Sequence, residues 1–151
     1  MKKIVLFFIA LACFQVSFAN EYRDKLKQAL VDEDKNEELI QELEKKNSPA
    51  LSGFLGVAYV MKSNHAILPW KKLKFFYKGK KLLDNAIDAN PHNIELIYYR
   101  NEIQRKIPRG LNYNHLEADT AKLMDYLKDE HNKERDRDLY FQIQQLLKSK
   151  K

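Results

Sequence analysis

The sequence predicts an all-α fold of about seven helices, with successive helices antiparallel, arranged as an α-solenoid of hairpins or as a compact helical bundle. Three observations point there. Only four glycines and four prolines interrupt 151 residues. The apolar residues recur mostly at three- and four-residue spacing, the period of a helix that buries one face. Prolines and capping residues cut the chain into helix-length pieces with short connections, which sets sequence neighbours antiparallel.

The first stretch, MKKIVLFFIALACFQVSFAN, combines Lys2 and Lys3, an apolar run from Ile4 to Phe14, and small residues at Ser17 and Ala19. This pattern predicts a secretory signal peptide over 1–19, cleaved after Ala19. The apolar run is shorter than the roughly 20 residues of a membrane span. An alternative reading takes Ala10-Leu11-Ala12-Cys13 as a lipoprotein processing site, which would leave Cys13 lipidated and the protein anchored. In the signal-peptide reading, cleavage removes the only cysteine and the mature chain, 20–151, has no thiol chemistry. Its length suits a single domain able to bury a core without staples.

The predicted helices run from Glu21 to Val31, Asn36 to Lys46, Pro49 to Ser63, Trp70 to Ala89, Asn93 to Lys106, Glu117 to Asp129 and Arg135 to Lys148. Ser48 before Pro49 reads as a capping hydroxyl followed by proline at the first helical position. Asn90-Pro91 ends a helix because the residue before proline avoids the helical region, and Asn93 is placed to cap the next. Pro108 and Gly110 open a loop through Tyr113-Asn114.

Charge is distributed unevenly along these helices. From Lys45 to Leu83 there are nine lysines and no acidic residue; residues 20–44 carry four basic and nine acidic side chains, and residues 84–151 twelve of each. Such asymmetry concerns partners and long-range fields rather than fold. Lys71, Lys74, Lys78 and Lys81 recur at three- and four-residue spacing and form one stripe of the helix begun near Trp70. Leu73, Phe76, Leu83 and Ile87 form its expected core face. The four lysines are candidate anion-binding residues. A plain solvated face, offset by the acids of Asp32 to Glu44, is the competing reading, since exposed lysines ordinarily serve solubility alone.

The middle helices carry a more specific pattern. Leu55-Gly56-x-x-Tyr59 has the spacing of a tetratricopeptide (TPR) helix A, and Gly79, Leu83, Ala86 and Pro91 that of its helix B. The halves are separated by about eleven residues more than a 34-residue repeat permits. Arg100-Asn101 stand where a following repeat would place leucine and glycine. Together with Trp70 to Phe76, Gly79 to Leu83, Asn90 to Glu95, Arg100 with Gln104, and Pro108-x-x-Leu111-x-Tyr113, the pattern resembles a family of uncharacterised exported bacterial proteins over roughly residues 50–125. That resemblance implies a TPR-like architecture and no reaction.

TPR-like pairs use a concave face for peptides. Spacing places Gly53, Val57 and Val60 on it, and then Tyr98, Glu102 and Arg105, of which the last three are the candidate protein- or peptide-binding residues. Packing of Tyr98 and Tyr99 between helices is the competing reading. His92 with Glu95, and His131 with Glu134, have helix-compatible spacing, but two ligands do not make a metal site. Hydrolase triads, phosphate loops and dinucleotide fingerprints are absent from the sequence. Glu117 and Asp119 read as part of a wet helix surface.

No cofactor, metal or catalytic residue is therefore expected. Export and the lack of any nucleic-acid-binding motif argue against nucleic acid despite a pI of about 9.2. The functional expectation is a non-enzymatic exported interaction or scaffolding module of the bacterial cell envelope with a protein or peptide partner. The alternative is a peripheral binder of anionic lipid or envelope polymer through the lysine stripe. A periplasmic location is expected, with lipid anchoring or secretion as the alternatives.

Overall fold

A computed structural model describes residues 21–149. The expected signal peptide and Cys13 lie outside this range. Among the described residues every regular element is helical and no strand occurs, so the chain is all-α. Helix α1 covers 21–31; then follow α2 (Glu33–Lys46), a 3₁₀ turn (Pro49–Leu51), α3 (Ser52–His65), α4 (Pro69–Ala89), α5 (Ile94–Lys106), a second 3₁₀ turn (Arg109–Leu111), α6 (Leu116–Lys128), α7 (Glu130–Arg135) and α8 (Arg137–Lys148). The stretch after α6 holds one helix more than the spacing predicts. Asp129 caps α7 through the His131 amide, and Asp136 caps α8 through the Leu139 amide. Two acidic caps so close together start two helices rather than one.

Other punctuation follows the same chemistry. Asp32 accepts from the amides of Asp34 and Lys35 and starts α2, and Asn93 accepts from Leu96 N at 3.2 Å and starts α5. Ser48 differs from expectation: its hydroxyl makes no capping bond. Its carbonyl instead accepts from Leu51 N in the 3₁₀ turn, and Ser52 Oγ donates back to Pro49 O at 2.8 Å.

Contacts gather into two compact units, one ending at Leu82 and the other starting at Leu83, so that the boundary falls within α4. In the first unit α2 buries Leu39, Ile40 and Leu43, with Asn36 on the same face. Against it lies α3, buried over most of its circumference through Gly53, Phe54, Gly56, Val57, Ala58, Tyr59 and Val60. The second unit buries Leu83 and Ile87 of α4, Leu96 to Tyr99 of α5, Leu123 and Tyr126 of α6, and Leu139 and Ile143 of α8.

Helix α4 approaches α3 closely in the first unit. A Cβ built on Gly79 would stand 2.4 Å from Gly56 O and 2.8 Å from Val60 N and Val60 Cγ2. Two of those three atoms are backbone and cannot rotate away, so only glycine fits. Exchange of this helix glycine for alanine would ordinarily gain about 1 kcal/mol of helix propensity. Here we expect Gly79→Ala to destabilise the protein by ~1–3 kcal/mol net, as overpacking does, measured as a lowered urea midpoint at unchanged slope.

Candidate functional site

Seven of the nine lysines of the acid-free stretch fall into two groups by what their amines touch. Those near the core are consumed by the acids of α2. Lys46 pairs with Glu42 at 2.9 Å, where Lys25 of α1, outside that stretch, joins it at 2.8 Å, and the Tyr22 hydroxyl donates to the same carboxylate at 3.0 Å. Burial acts to raise the Glu42 carboxyl, but the hydrogen bonds from Lys25, Lys46 and Tyr22 outweigh it and hold it at about 2. Lys62 pairs with Glu37 and lies 5.0 Å over the Phe75 ring.

Lys78, one of the four stripe lysines, belongs to this first group. Its amine donates to the Tyr59 hydroxyl at 2.6 Å and reaches Glu44 at 3.3 Å, while Tyr59 donates to Glu44 at 2.5 Å. It also lies 3.9 Å from the Tyr59 ring centroid. Partial burial would lower the Lys78 pKa, yet the bonds to Tyr59 and Glu44 leave it raised above the ordinary lysine value. Lys78 is thus a clamp between α4, α3 and α2.

Lys71, Lys74 and Lys81 are exposed, as is Lys72, and none forms an ion pair with any described residue. Apolar side chains that the core does not take up stand beside them. Ile67 is 90% exposed, Trp70 66%, Leu73 45% and Tyr77 49%, and Leu68 is exposed too. Leu73 therefore leaves the core face expected for it, whereas Phe76, Leu83 and Ile87 are buried there. Trp70, Leu73 and Tyr77 at i, i+3 and i+7 share one side of α4, and each is followed by a lysine, so an apolar stripe and a basic stripe run in parallel. Residues 67–74, Ile-Leu-Pro-Trp-Lys-Lys-Leu-Lys, are exposed without interruption. No acid occurs within them.

The second candidate surface is occupied by its own neighbours. Tyr98 is buried, edge-on to Tyr99 at 5.2 Å between centroids. Glu102 pairs with Lys106 at 2.7 Å. Arg105 Nε donates to Asn101 Oδ1 at 2.8 Å, and its NH1 to Ser149 O at 3.3 Å. Gly53, Val57 and Val60 are buried as well. A half-open cavity of about 460 Å³ does occur in the second unit, lined by Gln104, Ile107, Pro108, Tyr113, Asn114, Leu116 and Glu117. It includes none of Tyr98, Glu102 or Arg105.

Beneath that cavity lies a polar network that the residue pattern did not reveal. Asp119, expected on a wet surface, is fully buried. Arg100 grips it in a two-pronged bond, Nε to Oδ2 at 2.8 Å and NH2 to Oδ1 at 2.7 Å, and sends NH1 to Asp84 at 3.2 Å. The Tyr113 hydroxyl donates to Asp84 at 2.9 Å, and burial, with the Asp84 carboxylate beside it, raises its pKa far above the ordinary tyrosine value. Gln104 donates to Asp119 at 3.1 Å and accepts from His115 N at 2.6 Å. Asn101 donates to Thr120 at 2.9 Å. Arg100 and Asn101, which break the repeat pattern, are therefore network members in place of a packed leucine and glycine.

The network is satisfied from within: among the described residues no buried side-chain polar atom lacks a partner. Nor do three or more His, Cys, Asp or Glu side chains converge there as a metal site would require. Its role is to hold α5 on α6. Asp119→Ala strands the Arg100 guanidinium in the core and should cost ~3–5 kcal/mol, read from chemical denaturation. Lys71→Gln and Lys74→Gln, which remove exposed charges that pair with no described residue, should leave the same midpoint unmoved.

Compared with known proteins, the chain matches no family model, no curated protein and no solved structure.

Proposed function

We propose that the chain is a non-enzymatic interaction module of the bacterial cell envelope, exported by its N-terminal segment, which attaches to an anionic surface through the first turns of α4. The observation that carries this reading is the uninterrupted exposed run 67–74, in which basic and large apolar side chains alternate without an acid. Charges of one sign with no ion-pair partner among the described residues attract a partner of the opposite sign, and Glu37, Glu42 and Glu44 of α2 are committed to other lysines. The close crossing of α3 and α4 at Gly56 and Gly79 supports a TPR-like helical pair as the scaffold that presents this run. Burial of Tyr98 and the side-chain engagement of Glu102 and Arg105 favour the α4 surface over the concave groove.

Each lysine near an anionic surface contributes about 1 kcal/mol. Lys71→Gln/Lys72→Gln/Lys74→Gln should therefore weaken co-sedimentation with isolated envelope membranes roughly a hundredfold. The unaltered protein should release in about 1 M salt, where the screening length falls to about 3 Å. Arg105→Ala should bind as before. Binding that ignores both salt and the lysine substitutions, and falls with Arg105→Ala, contradicts the proposal.

A further inference from the structure

We infer that the anionic surface is a lipid bilayer, and that the tip of α4 does not rest on it but inserts into it, with Ile67, Leu68 and Leu73 below the headgroups, Trp70 among them at the top of the acyl chains, and Lys71, Lys72 and Lys74 on the phosphates. This rests on the reading of α4 as the binding surface and adds its partner and mode of attachment. Charge alone does not account for the tip. A soluble polyanion satisfies the lysines but leaves four large apolar side chains in water, Ile67 at 90% exposure and Trp70 at 66%. A bilayer takes up both, because its interface places acyl chains and anionic phosphates a few ångströms apart.

The geometry fits that interface. The apolar residues begin in the turn before α4 and continue along one side through Trp70, Leu73 and Tyr77, so the helix end is apolar foremost and basic alongside. Tryptophan and tyrosine favour the headgroup level, where an apolar ring and a polar atom each find their medium. Lysine stems can lie along the acyl boundary with the amine raised to the phosphates. Behind the tip, Phe75 stacks on Tyr59 at 6.3 Å and Phe76 is buried, so the helix is seated just where exposure ends. A second copy of the chain is a poor occupant. A two-fold contact through this face would set Lys71, Lys72 and Lys74 against their own equivalents with no acid between them.

Trp70 is the only tryptophan, so its fluorescence reports the tip directly. The protein, purified as the cell processes it, is mixed with vesicles of phosphatidylglycerol and phosphatidylcholine, or of phosphatidylcholine alone. With the anionic vesicles we expect Trp70 emission to shift to the blue and to be quenched by lipids brominated near the top of the acyl chain. Neutral vesicles should produce neither effect. Ile67→Ser/Leu68→Ser keeps every lysine and alters only exposed side chains; it should bind anionic vesicles about tenfold more weakly at an unchanged circular dichroism spectrum. Lysine-dependent binding with unmoved emission, and equal affinity of the serine variant, would overturn insertion while leaving the electrostatic attachment standing. Failure to bind anionic vesicles, with envelope binding also indifferent to the lysines, would overturn both. A blue shift that appears without vesicles and grows with protein concentration would assign the tip to self-association instead.

Discussion

The contact of Gly79 with the backbone of Gly56 fixes where α4 lies, and what α4 exposes follows from it. With a side chain at Gly79 the two helices could not approach as they do. At this separation Lys78 reaches Tyr59 and Glu44, Phe75 stacks on Tyr59, and Phe76 enters the core. These contacts set the rotation of the helix about its axis. Given that rotation and the period of 3.6 residues, Trp70 and Tyr77 face outward, and the residues before Phe75, Leu73 among them, have no neighbour to bury them. The exposed tip is the extension of a tightly seated helix, which suits a projecting binding element better than a loop would.

Electrostatics separate the seated part of α4 from the free part. Helix α2 carries Glu37, Glu42 and Glu44 toward its neighbours, and each is paired with a lysine of α1, α2, α3 or the middle of α4. Such partly exposed pairs contribute little individually. Their consequence lies in allocation: none of these acids pairs with Lys71, Lys72, Lys74 or Lys81. Offset of the whole basic stretch by the acidic first helices is thus half true, because it applies to Lys62 and Lys78 and stops before the tip. In the second unit a different device operates, with Arg100 and Asp119 buried together. A pair of this kind is strongly destabilising to break and adds uncertain net stability when whole. It holds α5 on α6.

Much of the architecture was legible in the sequence because it depends on period and punctuation. The all-α class, the ends of α4 at Asn90-Pro91 and of α5 near Pro108, and the small residues Gly56 and Gly79 each follow from local chemistry. The stripe Lys71, Lys74, Lys78, Lys81 was also visible as a pattern, but not its division, since only the structure places Tyr59 and Glu44 against Lys78. Leu73 was misplaced because a residue at core spacing near a helix end needs a neighbour to bury it, and spacing does not supply one. Asp119 was misread for a related reason. A carboxylate in the charged first turn of a helix is ordinarily solvated, and its burial depends on Arg100, 19 positions away in sequence. A signal existed in Arg100-Asn101-x-x-Gln104, polar residues one turn apart that directly follow the run Leu96-Ile97-Tyr98-Tyr99.

Hydrogen exchange of the backbone amides, followed with and without phosphatidylglycerol vesicles, tests most directly whether the tip of α4 is the working surface. In the free protein, residues 70–74 should exchange quickly because no packing covers them, and residues 79–87 slowly. Vesicles should slow exchange at 70–78 and leave the α5 and α6 amides around Arg100 and Asp119 unchanged. Protection that appears on α5 near Tyr98 and Arg105, with 70–74 unaltered, would contradict the assignment of function to α4.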